Sequence, residues 1–120
     1  MIVGIGTDVC SIERIDKALQ RFGERFVKRI LTAEERVRFD RTRDKAGHFA
    51  KRFAAKEAFA KALKVGKVAI WREVEVVRSE GPRPTVLLHG SAHALLGSRK
   101  VDLSLSHAAT HAIAVVLIED

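Results

Sequence analysis

Two acids, Asp8 and Glu57, stand in otherwise cationic surroundings. Asp8 closes the run Ile2-Val3-Gly4-Ile5-Gly6-Thr7-Asp8, and Glu57 lies within Arg52-Phe53-Ala54-Ala55-Lys56-Glu57-Ala58-Phe59-Ala60-Lys61. A carboxylate at a strand end and a second on a basic helix face suit a hard divalent cation held by few protein ligands. Mg²⁺ is commonly bound that way, with substrate phosphates and water completing its octahedron. Glu57 and Lys61 are four residues apart and share a helix face. Lysines and arginines a turn away would therefore meet the same phosphates. The chemistry these residue types suggest is phosphoryl-type transfer. Each has a plainer reading as well: a Glu-to-Lys pair on a surface helix contributes little, and Asp8 could equally accept backbone amides in a turn.

These side chains need elements to hold them. Residues 2–9 read as a short strand entering a Gly-rich bend, where Gly4 and Gly6 let another backbone or a ligand approach Asp8. The pair is no dinucleotide fingerprint, because the third glycine would fall at Val9. Residues 11–30 are helical, with an apolar stripe at Ile12, Ile15, Leu19, Phe22, Phe26 and Ile30, a cap at Ser11 and a break at Gly23. Opposite that stripe run Arg14, Lys17, Arg21, Arg25 and Lys28, a soluble face or a docking surface for an acidic partner. Thr32 with Glu35 is a capping box opening a helix through Phe39, residues 40–47 form a loop, and a longer helix covers about 48–63.

The second half is strand-like. Trp71 to Val77 and Thr85 to Leu88 are joined by a turn at residues 79–84, and a short helix follows at Ser91 to Leu96. Asp102 to His107 alternates as a strand with one buried face, whereas His111 to Ile118 is apolar almost throughout and reads as covered on both faces. Helices gathered ahead of an antiparallel sheet give an α+β class, helices packed on a small antiparallel sheet, in a single domain spanning residues 1–120.

The net charge of +7 in 120 residues calls for an acidic partner. Nucleic acid, anionic lipid, a phosphorylated small molecule and an acidic protein all fit that charge, and a basic nucleic-acid-binding module without catalysis is the rival reading. Tyrosine is absent, and the six phenylalanines fall at helical core spacings, so a stacking platform for single strands is not evident. No apolar run reaches the roughly 18 residues of a membrane span, and Met1-Ile2-Val3 begins a strand rather than a leader, so a cytoplasmic protein is expected. The lone Cys10 excludes an intramolecular disulfide framework and reads as a small core residue before a nucleophile. His89 and His93 straddle Gly90, which argues against a zinc pair, while Ser106-His107 at a strand end is a better polar contact for a ligand.

Taken in order, these motifs resemble the holo-[acyl-carrier-protein] synthase family of small bacterial 4′-phosphopantetheinyl transferases. The likeness rests on Gly4-Ile5-Gly6-Thr7-Asp8, Arg29-Ile30-Leu31-Thr32 with Glu34, the run from Arg52 to Leu63, Trp71 with Val74-Glu75-Val76, Leu88-His89-Gly90 and Leu103-Ser104-Leu105-Ser106-His107. The resemblance implies an α+β homotrimer of the 4′-phosphopantetheinyl transferase fold with active sites between subunits. It implies transfer of phosphopantetheine from coenzyme A to a serine of apo-acyl carrier protein, for fatty acid biosynthesis, with release of adenosine 3′,5′-bisphosphate. By motif position Asp8 and Glu57 would be the Mg²⁺ ligands. Lys61 and His107 would contact coenzyme A, with Arg52 and Ser106 as phosphate or ribose neighbours. Coenzyme A and the acidic carrier would account for the positive charge, with Arg14, Arg21 and Arg25 docking the carrier. Lys61 would add positive charge where the transition state accumulates negative charge. The acceptor of the serine proton stays open between Glu57, a metal-bound water and Lys61. Where the family has a Gly-Thr-Gly-type loop, residues 64–70 are shorter and keep one glycine, so Lys64 or Lys67 would substitute by charge, and position 60 is alanine rather than serine.

Overall fold

The element that organises the molecule is a 19-residue helix, α4 (Lys45–Leu63), whose small residues Ala50, Ala54, Ala55, Ala58 and Ala62 are all buried. Side chains of that size bring a neighbouring backbone close, and the neighbour is strand β1 (Ile2–Ser11). A methyl group built on Gly4 would overlap the Ala62 carbonyl, and one on Gly6 the Ala58 carbonyl. The glycines therefore serve close approach. The register of β1 with its partner shifts once, between Ile2 and Gly4, and is then regular from Gly4 to Ser11, so the expected bend before Asp8 is absent.

The computed structural model describes residues 1–65, 70–77 and 83–120. After β1 come α1 (Ile12–Phe22), α2 (Glu24–Ile30) and α3 (Ala33–Arg41). Ser11 caps α1 by accepting from the Arg14 amide, and Gly23, at φ 55°, separates α1 from α2. The Thr32–Glu35 capping box opens α3 with both reciprocal bonds formed. The loop expected over 40–47 is shorter than predicted. Asp44 accepts from the Gly47 amide at 3.1 Å and starts α4 at Lys45.

Beyond α4, the expected strand from Trp71 divides into a 3-10 turn, Trp71–Glu73, and β2 (Val74–Val77), which pairs with β3 (Thr85–Leu88). The turn expected at 79–84 lies outside the described residues except for its last two positions. α5 (Gly90–Leu96) leads to β4 (Lys100–His107) and β5 (His111–Glu119). The main sheet is antiparallel in the order β1-β5-β4, and the α+β architecture is as expected.

Two burial expectations are corrected. Among the described residues β5 is covered on one face only: Ala112, Ala114, Val116 and Ile118 lie under α4, whereas Ile113 is 43% exposed beside the exposed Val9 of β1, with the exposed Ile5 further along the same strand opposite Leu117. Phe22 leaves the apolar stripe and is 51% exposed, because the chain turns at the next residue, Gly23. Phe26, by contrast, packs on Phe49 with ring centroids 4.9 Å apart.

Candidate functional site

On β1, residues facing α4 alternate as Gly4, Gly6, Asp8 and Cys10, so the side without side chains gives way to a carboxylate just where the helix passes. Lys61, on the last turn of α4, reaches across the crossing. Its Nζ donates to Asp8 Oδ1 at 3.2 Å and to the Thr7 carbonyl at 2.9 Å. The Asp8 carboxyl is held above its ordinary value by burial. The hydrogen bond and charge of Lys61 oppose that shift, and the negative charge of Glu57 adds to it. Asp8 and Glu57 line one cavity of about 420 Å³, together with Cys10, Ser11, Arg14 and Phe53.

Glu57 does not pair with Lys61, the partner its spacing suggests. Its Oε1 accepts instead from the indole Nε1–H of Trp71 at 2.7 Å. The preceding residue, Lys56, points the other way and is fully buried. Its Nζ donates to Glu35 Oε1 at 2.7 Å and to the carbonyls of Trp71 and Val74 at 2.7 and 2.5 Å. Glu35 completes the network by accepting from the Thr32 and Val76 amides. Burial pushes the Lys56 ammonium down from its ordinary value, and Glu35 works against that. Neither the Lys56 network nor the Trp71 bond is apparent from the motifs. The sequence signal that could have found the first is a lysine set among Ala54, Ala55, Ala58 and Phe59, which leaves that arc of the helix no solvent to face.

The remaining predicted residues are placed as follows. Arg14 lines the Asp8–Glu57 cavity itself. Arg21 is exposed, its guanidinium 5.2 Å from the Phe22 ring, and Arg25 borders a groove of about 400 Å³ with Phe22, Phe26 and Arg29. Arg52 is buried elsewhere on α4, donating to the His48 carbonyl at 3.5 Å and bordering a smaller cavity with Glu34, Arg38 and Glu75. It stands five positions before Glu57, which puts the two about 140° apart around the helix. Ser106 and His107 lie exposed at the end of β4, separated from β1 by β5, and neither lines the Asp8–Glu57 cavity. Cys10 is in the cavity wall, but burial pushes its thiol up to about 11, as befits a core residue rather than a nucleophile. Of the loop at 64–70, residues 66–69 lie outside the described part.

The donor set available to a cation is thus two carboxylates. Among the described residues no cluster of three or more His, Cys, Asp or Glu could hold a metal on protein ligands alone. Two oxygen donors, one of them raised by burial and by the other's charge, fit a hard divalent ion that completes its shell with substrate and water.

The chain is similar to known proteins over most of its length. The model of the 4′-phosphopantetheinyl transferase superfamily matches residues 4–116. A holo-[acyl-carrier-protein] synthase of Methylobacterium sp. (strain 4-46) is 51% identical over 100 residues, which are 82% of this chain and 74% of that protein. The crystal structure of a holo-[acyl-carrier-protein] synthase from Neisseria meningitidis aligns with a TM-score of 0.87 and 38% identity, covering 100% of both chains. That of a holo-(acyl-carrier-protein) synthase from Bacillus anthracis, in complex with CoA (3′,5′-ADP), aligns with a TM-score of 0.81 and 34% identity, over 100% of this chain and 98% of the other.

Proposed function

Since the chain belongs to the 4′-phosphopantetheinyl transferase superfamily, we propose that the cavity at the β1–α4 crossing is where its group transfer takes place. The chain transfers the 4′-phosphopantetheine group of coenzyme A to apo-acyl carrier protein. A serine hydroxyl of the carrier displaces adenosine 3′,5′-bisphosphate from the phosphorus that bears the pantetheine arm. The observation that carries the assignment of the site is the convergence of Asp8 and Glu57 on one cavity, with the Lys61 ammonium bonded to Asp8.

Phosphoryl transfer asks a protein mainly for positioning and for neutralisation of charge. Asp8 and Glu57 would hold Mg²⁺ between them, which relieves the cost of burying the Asp8 charge beside a second carboxylate. When bound, the ion supplies charge neutralisation at the pyrophosphate. Lys61 has three N–H donors, of which Thr7 and Asp8 engage two, leaving one for a phosphate oxygen. Arg14 adds a cation at the cavity wall. Arg52, with Arg38 beside it, would meet coenzyme A only from the smaller cavity on another side of α4.

The same reading makes the working unit a homotrimer. Ile5, Val9 and Ile113 form an apolar patch on the sheet face away from α4, and covering it with a symmetric neighbour is a common solution for so small a chain. It would also give Ser106 and His107 a role, because a neighbouring subunit's cavity could receive them. The basic side of α1 and α2, with Arg14, Arg21 and Arg25, docks the acidic carrier. The positive charge is thereby met without appeal to nucleic acid.

The test is to incubate the protein with coenzyme A, Mg²⁺ and apo-carrier protein and to follow the pantetheine adduct by mass spectrometry. Asp8→Asn and Glu57→Gln should each lose metal-dependent turnover by at least about 100-fold while staying folded, since either change removes one of two anionic ligands. Near-wild-type rates at low Mg²⁺ would remove both residues from the metal site.

A further inference from the structure

Glu57 is a long side chain with three rotatable bonds, yet it has to present one carboxylate oxygen to a site that the Asp8 carboxylate shares. The only hydrogen bond that fixes it among the described residues comes from Trp71, whose Nε1–H meets Glu57 Oε1 at 2.7 Å. Trp71 in turn is held on several sides. Its ring stacks on Phe53 with centroids 6.4 Å apart and planes 26° from parallel, and the Arg29 guanidinium lies 5.6 Å from the ring centroid. Its backbone carbonyl accepts from the buried Lys56 ammonium at 2.7 Å, which the Glu35 carboxylate anchors to α3. Consecutive residues of α4 thus grip the same 3-10 turn. Lys56 takes its backbone from the core side, and Glu57 takes its indole from the cavity side.

We infer that Trp71 is a positioning residue for the transfer reaction, one that fixes the Glu57 carboxylate so that Oε1 is engaged by the indole and Oε2 is left for the cation. A rigid ring clamped by stacking and by a backbone bond orients a ligand better than water could, and such partners commonly set metal affinity. The inference rests on the assignment of Asp8 and Glu57 to the metal site. A bare packing role for Trp71 makes a different forecast: it would cost stability alike with or without metal, and added metal would not restore what was lost.

The experiment replaces Trp71 by Phe, which keeps an aromatic ring, and separately by 3-benzothienylalanine, which keeps the indole shape and lacks only the N–H. Mn²⁺ binding to the coenzyme A complex is measured by electron paramagnetic resonance, and turnover is followed as a function of Mg²⁺. Both variants should show a rise of about 10-fold in the Mn²⁺ dissociation constant and in the Mg²⁺ concentration for half-maximal rate. The KM for carrier protein should be unchanged and kcat recovered at saturating Mg²⁺. Unaltered Mn²⁺ affinity in the benzothienyl variant, with Glu57→Gln losing Mn²⁺, would overturn the role of Trp71 and leave the metal site standing. Unaltered Mn²⁺ affinity in Glu57→Gln itself would overturn the metal assignment, and the role of Trp71 with it.

Discussion

Replacing Gly6 by Ala tests whether the β1–α4 contact is what brings the reacting groups together. The added methyl would overlap the Ala58 carbonyl oxygen and would lie 2.8 Å from the Ala62 nitrogen and 2.9 Å from the Ala58 carbonyl carbon. All three are backbone atoms of a helix, so no side chain can swing aside. Bringing even the two longer contacts to about 3.4 Å requires the helix and strand to part by at least ~0.6 Å, and clearing the oxygen requires more. Overpacking of this kind costs roughly 1–3 kcal/mol, of which the conformational gain of Ala over Gly in a strand returns roughly 0.5–1. The displaced part of α4 is the part that carries Glu57 and Lys61, so both move relative to Asp8. Misplacement approaching 1 Å at a phosphoryl-transfer site lowers turnover by about 100-fold. The expected result is therefore a modest fall in thermal midpoint with a much larger fall in kcat, read by calorimetry and by the rate of adduct formation. Wild-type activity in Gly6→Ala would refute the argument, and so would a loss of activity that merely follows the fraction unfolded.

Other expectations concern stability and docking. Lys56→Met strands the Glu35 carboxylate in the core and should destabilise the chain by about 3–5 kcal/mol in urea titrations. The His48 imidazole is pushed down to about 3 from 6.5, by burial first and then by Arg52, Lys51, Arg38 and Lys45. The unfolded chain accordingly takes up a proton that the folded chain refuses between those values, and stability falls as pH drops through 6.5 toward 3. One proton limits that slope to about 1.4 kcal/mol per pH unit. Chemical denaturation at pH 7 and pH 5 should show the fall, and His48→Gln should flatten it. For the docking face, Arg21→Glu/Arg25→Glu is cleaner than any change at Arg14, which lines the cavity. It should lower kcat/KM for carrier protein by about 10-fold or more at low salt, leave the KM for coenzyme A nearly unchanged, and lose its effect as salt rises. Kinetics with each substrate varied in turn would decide it.

What could be foreseen from the residues was whatever depends on neighbours in the chain. Gly23 breaks a helix because a positive φ suits glycine, and Thr32 with Glu35 forms a capping box because both partners lie within one turn. Strand alternation from Asp102 to His107 is legible for the same reason, although the strand itself begins two residues earlier, at Lys100. Long-range choices were not. Glu57 and Lys61 have the spacing of a helical ion pair, but a carboxylate on β1 and an indole on the 3-10 turn compete for them and win. Lys56 finds Glu35 21 residues away, a pairing no local pattern encodes. The apolar run of β5 implied cover on both faces, and the described residues supply cover on one. Asp8 and Glu57, which line one cavity, stand out because their residue types are unusual for their positions, a carboxylate ending an apolar strand and another on a helix rich in alanine.

The meshing of α4 with β1 also decides where this chain can tolerate a change in length. Gly4 faces Ala62 and Gly6 faces Ala58, so the helix is locked to the strand at two points one turn apart. Within the same stretch Lys56 enters the core, Glu57 reaches the cavity and Lys61 reaches Asp8. Deleting or inserting one residue between Lys56 and Ala62 would turn everything beyond it by about 100°. An alanine would then leave the groove over glycine and a larger side chain would enter it, while Lys61 would swing off Asp8. No compensating substitution at a single position could restore three directions at once. Length variation among functional relatives of this chain should therefore be confined to the segments between elements, and this helix should keep its residue count from Lys56 to Ala62.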